Sequence, residues 1–160
     1  MTNPIRPTDN EARALAQSLM VNARFAALGV VTDNGAPLVT RIAFGLCPEG
    51  RPVSLVSSLS MHTRALQANP ACSLLVGEPG DKGDPLTHPR LSLICRASFV
   101  RHGEDGYSEL AAHYLRDHPK SKLYIDFSDF AFAQLNVIEG HLNGGFGKAF
   151  HLTAEDLGQS

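Results

Sequence analysis

The chain has 160 residues, 43% of them hydrophobic and 19% charged, a balance that fits one compact domain and excludes a disordered, collagenous or coiled-coil chain. Fourteen basic against 16 acidic residues leave a net charge of -2. That is too even for a nucleic-acid binder working through bulk charge, so an anion site must be local. No apolar run approaches the ~20 residues that span a bilayer, and the first nine residues lack a signal-peptide stretch. Cys47, Cys72 and Cys95 lie far apart and form no CxxC pair. The expectation is a cytoplasmic protein with buried thiols in a reducing compartment and no membrane association, built as a single domain over residues 1–160.

The first helix is announced by Thr8-Asp9-Asn10-Glu11, a capping-box spacing with Thr8 as the cap. Ala12, Leu15, Ala16, Leu19 and Ala23 then recur at three and four residues and give one apolar face. Residues 25–31 and 38–46 are β-branched and aromatic runs joined by a turn containing Asn34-Gly35, which predicts a hairpin. A second turn over 47–51 leads into a strand at 52–57 that continues the meander. Ser60 to Ala68 predicts a short helix capped by Ser60 and stopped at Asn69-Pro70. A strand over 71–77 precedes a loop rich in proline and glycine at 78–89, long enough to be functional.

Residues 90–102 alternate well enough for a long strand with one wet face. A helix over 105–117 follows, capped by Asp105 or Ser108 and stopped at His118-Pro119. Residues 122–130 fit neither pattern. A last long strand covers 130–142 before Asn143-Gly144-Gly145-Phe146-Gly147 breaks it, and one more helical turn follows at 153–157. Helices inserted between hairpins do not make a parallel sheet. The expected class is mainly β, a small antiparallel barrel with flanking helices.

The densest polar cluster, Ser57-Ser58-Leu59-Ser60-Met61-His62-Thr63-Arg64, lies where a strand ends and a helix starts. Free N–H groups, hydroxyls, Arg64 and a protonated His62 suit a phosphate there, although capping serines are common at any helix start. Arg41, within an apolar strand, needs either an anion or a surface. None of the seven histidines forms an HxH or HExxH spacing, which argues for no metal site. His62, His88, His141 and His151 are candidate axial ligands for haem iron. Dinucleotide, nucleoside-triphosphate and serine-hydrolase motifs are absent from the sequence.

Four segments together, 37–43, 57–64, 83–91 and 142–147, resemble the pyridoxamine-phosphate-oxidase-like, FMN-binding split-barrel proteins, and within them the haem-utilisation branch. The resemblance implies an antiparallel split β-barrel, a homodimer, and FMN in a groove between subunits. It implies that Arg41 and the Ile42 backbone meet the flavin or its phosphate, that Ser57 and Ser58 line the ribityl chain, and that His62, Thr63 and Arg64 hold the phosphate. The implied function is flavin-dependent oxidoreduction with a small-molecule substrate or oxygen; the alternative is haem binding or haem utilisation on the same dimeric scaffold. A scaffold without cofactor is a third possibility. The chain departs from the vitamin B6 oxidases in carrying Thr63-Arg64 where they have Arg-Lys, and in lacking tryptophan.

Overall fold

The computed structural model describes residues 3–159. Its strands are β1 (Ile5–Arg6), β2 (Phe25–Val31), β3 (Pro37–Ala43), β4 (Gly45–Leu46), β5 (Pro52–Ser57), β6 (Ala71–Val76), β7 (Arg90–Val100), β8 (Phe130–Asn143) and β9 (Ala149–Thr153). The helices are α1 (Asn10–Asn22), α2 (Met61–Ala68) and α3 (Tyr107–Asp117). One sheet runs β1-β9-β8-β7-β6-β2-β3. It is antiparallel except where β1 lies parallel to β9.

The long strand β8 explains how the sheet closes. Its first half pairs with β5 through Val53↔Gln134 to Ser57↔Phe130, and its second half pairs on the same side with β9. Its other side pairs with β7 along nearly its whole length. Two cores result. One fills the barrel with Leu28, Leu74, Leu91, Leu93, Leu135 and Leu142 under α1. The other, around Phe132, Tyr107, Leu110 and Tyr114, lies beneath α3. Because β8 carries Phe132 into one core and Ala133 and Leu135 into the other, its first half is buried on both faces.

Several sequence expectations are corrected. Asp9, not Thr8, caps α1: its carboxylate accepts from the Ala12 N–H at 2.8 Å, while the Thr8 hydroxyl donates to the carbonyl of His151 at 2.7 Å. The predicted strand over 38–46 breaks at Phe44, which is buried in the barrel core, and β5 pairs with β4 and β8 rather than continuing the meander on β3. Neither Asp105 nor Ser108 caps α3; Gly106 does, at φ 86°, a left-handed conformation that suits glycine. The ambiguous stretch 122–130 begins on the end of a 3-10 turn, Pro119–Leu123, and continues as turns up to β8. The turn after residue 143 leads into β9, which was too short and too mixed in polarity to read from its pattern.

Candidate functional site

Strand β5 ends at Ser57 against the start of β8, and the chain there makes a tight turn into α2. The Ser58 N–H donates to the Asp129 carbonyl at 2.7 Å, and the Ser60 N–H to the Ser57 carbonyl at 3.1 Å. The Ser57 hydroxyl donates to the Asp129 carboxylate at 2.6 Å and accepts from the Leu59 N–H at 3.1 Å. Ser57 therefore holds the turn in shape, and its hydroxyl is already engaged. Ser58 is exposed beside it.

The start of α2 is chemically open. Ser60 stands at the cap position in extended backbone, but its side chain accepts no bond from the helix, so the first-turn N–H groups keep their partial positive charge for an outside acceptor. The three residues expected to hold a ligand there diverge. Arg64 is exposed, forms no salt bridge among the described residues, and borders a cavity of about 650 Å³ with Pro37, Leu38, Met61 and Ala65. Thr63 is 2% exposed and its hydroxyl is buried without a partner. It borders a second cavity of about 220 Å³, shared with Ser58, Arg101, His102 and Asp129. Local sequence could not show Arg101 and His102 there, because the pairing of β5, β8 and β7 brings them in from nearly forty residues away.

His62, next along α2, lines neither cavity. It is half-buried, its Nδ1 is 3.0 Å from the Thr40 hydroxyl, and its Nε2 has no protein partner among the described residues. Burial pushes its pKa below the ordinary imidazole range. Burial thus favours the neutral ring over the expected protonated one, and Arg64 is the full charge at this helix start.

Arg41 does not join this group within one chain. Adjacent residues of a strand face opposite ways, so Thr40 turns toward His62 while Arg41 stands exposed on the outer face, over the Phe25 ring at 5.5 Å. Ile42 is 5% exposed and its side chain belongs to the barrel core. Only its backbone can meet a ligand, on a strand that is the edge of the sheet. The other candidate histidines are engaged elsewhere. His88 ties its own loop: its Nδ1 accepts from the Gly80 N–H at 3.2 Å and its Nε2 donates to the Lys82 carbonyl at 2.7 Å. His141 and His151 lie together on β8 and β9 beside Glu139.

A sheet split by β5 and β9 along one side of β8, with a helix starting at the end of β5, is the architecture of the split-barrel proteins. A protein related to general stress protein 26, of the pyridoxinephosphate oxidase family from Clostridium acetobutylicum, superposes with a TM-score of 0.70 over 94% of this chain and 99% of its own. At 13% identity that likeness is one of fold. Residues 7–157 match the CREG β-barrel family, and the chain belongs to it. The heme-binding protein of Mycobacterium smegmatis is 29% identical, with a TM-score of 0.83 over 96% of this chain and 61% of its own. The chloroplastic heme oxygenase HOZ of Arabidopsis thaliana is 34% identical over 101 residues, 63% of this chain and 30% of that protein. The chain thus spans less than two thirds of either relative. Among the described residues, no helix is long and apolar enough to cross a membrane.

Proposed function

We propose that the chain binds haem at the start of α2, with His62 as the axial ligand. The observation that carries this reading is the state of that ring. Burial favours its neutral form, which is the ligating one, the Thr40 hydroxyl holds Nδ1 at 3.0 Å, and Nε2 has no protein partner among the described residues. A cavity of about 650 Å³ on the adjoining side of α2, which His62 itself does not line, has the size of a cofactor pocket, with Leu38, Met61 and Ala65 for an apolar ring and Arg64 for a carboxylate. Haem held there would supply a redox-active iron. The chain's part is to ligate, orient and neutralise it. The names of the Mycobacterium and Arabidopsis relatives support the same reading.

A second reading, FMN binding with oxidoreductase chemistry toward a small-molecule substrate or oxygen, is favoured by the uncapped first turn of α2 and the unpaired Arg64. A phosphate would take these N–H groups and that guanidinium. Either ligand would be shared in a homodimer, because Arg41, on the opposite face of β3 from His62, can contribute only across a subunit boundary. The outer face that carries Arg41 also exposes Val39 (68%) and Leu75 (45%), apolar surface suited to a second copy. Three buried free thiols fit the cytoplasm or another reducing compartment.

A haem titration followed in the Soret region, with FMN fluorescence quenching as its companion, tests both readings. Saturation at one haem per chain, weakened tenfold or more in His62→Ala and unaltered in His88→Ala, is the expected result. Unsaturable haem binding together with quenched FMN would replace the first reading by the second. In that event Arg64→Ala should weaken FMN tenfold or more, an order of magnitude set by one charge-assisted bond, and leave riboflavin nearly unchanged.

A further inference from the structure

We propose that Glu139, His141 and His151 form a binding site for a divalent transition-metal ion on the outer face of β8 and β9, separate from the start of α2. Strand pairing assembles it. His141 and His151 are direct partners in the antiparallel ladder, and Glu139 precedes His141 by two residues, so all three side chains stand on one face at one place. No linear motif carries this set, which is why histidine spacing alone pointed to no metal.

The ligand atoms already converge. One oxygen or nitrogen from each residue lies within 4.8 Å of the others. The Glu139 Oε2 is 2.5 Å from the His151 Nε2 and 3.4 Å from the His141 Nε2. An ion bound at about 2.0–2.2 Å from each donor holds those donors roughly 3–3.5 Å apart, so the Glu139–His141 pair already fits, the Glu139–His151 pair opens by roughly 0.5–1 Å, and the two imidazoles close by at most about 1.5 Å, movements that fall to side-chain torsions. The backbone is held from both sides. The β7 ladder fixes β8, and the Thr8 hydroxyl, donating at 2.7 Å to the His151 carbonyl, pins β9 beyond the end of β1.

The donor set selects the class of ion. Two imidazoles and one carboxylate suit zinc or a similar first-row ion, whereas calcium and magnesium prefer oxygen. Ser92 and Ile94 of β7 and Thr153 of β9 pair with these positions and bring no cation against the site. The side chains of Glu139, His141 and His151 are 36%, 50% and 46% exposed. Three protein ligands leave the remaining coordination positions open to water or to a fourth ligand.

Calorimetric titration of the full chain with zinc chloride, in a buffer that does not chelate, tests the proposal. One saturable ion per chain is expected, with at least about tenfold weaker binding in His141→Ala and in His151→Ala, wild-type affinity in His113→Ala, and no comparable binding of magnesium. On the unmutated protein, zinc should shift the imidazole resonances of two of the seven histidines. Unsaturable or many-site binding, wild-type affinity retained in either His141→Ala or His151→Ala, or resonance shifts confined to other histidines would each overturn it. Haem or FMN binding is measured separately at His62 and does not bear on these outcomes.

Discussion

Two helix starts in this molecule are built in opposite ways. At α1, Asp9 closes the first turn, the Arg13 N–H donates to the Asp9 carbonyl at 3.0 Å, and the Arg13 side chain reaches Asp156 at 2.7 Å to tie the helix to the C-terminal segment. At α2, Ser60 occupies the same position and its carbonyl accepts from the Arg64 N–H at 3.2 Å, but its side chain bonds no helix N–H, Arg64 has no acidic partner among the described residues, and Thr63 buries a hydroxyl that bonds to nothing. Polar groups are normally satisfied when buried and capped when they end a helix. A place where both habits fail together, beside two cavities, is where a ligand would complete the structure. The start of α1 serves stability, and under the proposed function the start of α2 gives up some stability in favour of binding.

The largest effect that tests this contrast falls on the strand joining the two regions. Phe132 is fully buried in β8 between Tyr107 and Tyr114, and Phe132→Ala should lower stability by about 3–5 kcal/mol in urea unfolding. A loss below about 1 kcal/mol would show that the core under α3 melts independently of the barrel. Asp9→Ala should cost about 1 kcal/mol through the lost cap, read as a fall of a few degrees in Tm with ligand affinity unchanged.

Thr63→Val is the converse case. Since the hydroxyl is unpaired, the ligand-free variant should be as stable as the wild type or more so, within about 1 kcal/mol. A clear loss of stability would mean that the hydroxyl is satisfied in the free protein, and the reading of α2 as an open start would fail.

The smallest effect depends on pH. Bonds from the Arg13 side chain and the Thr153 N–H hold the Asp156 carboxyl down to about 2, below the carboxylate's ordinary range. The unfolded chain therefore takes up this proton before the folded one does. The stabilisation is fully present above about pH 4 and lost as pH falls toward 2. Asp156→Asn should be less stable than wild type near neutrality, and the gap should narrow over that window. A gap that stays constant would remove Arg13 and Asp156 from the tie at α1.

Much of the fold was legible because its signals are local. The Asn34-Gly35 turn, the Asn69-Pro70 stop and the alternation along β7 and β8 each act within a few residues, and the strands and helices they predict are present. The helix start at Ser60 was legible for the same reason. What escaped the sequence depends on pairing. β1 and β9 are short and exist through each other and β8. Arg101 and His102 reach the Thr63 cavity through two strand pairings, and the trio on β8 and β9 exists only in register. Arg41 shows what the pleat adds to a local reading. The segment from 37 to 43 resembles a ligand-binding strand, and the pleat sends Thr40 toward His62 and Arg41 to the opposite face, so the two serve different sides of the strand within one chain.

The central claim, that one helix start stabilises and the other binds, is tested most directly by thermal unfolding of wild type, Asp9→Ala and His62→Ala with and without saturating haem. A ligand that binds only the folded state raises Tm by an amount set by its affinity. Asp9→Ala should lower Tm in both conditions and keep the full haem-induced rise, whereas His62→Ala should keep the wild-type Tm without haem and lose most of that rise. A haem-induced rise retained in His62→Ala, or abolished in Asp9→Ala, would contradict the assignment.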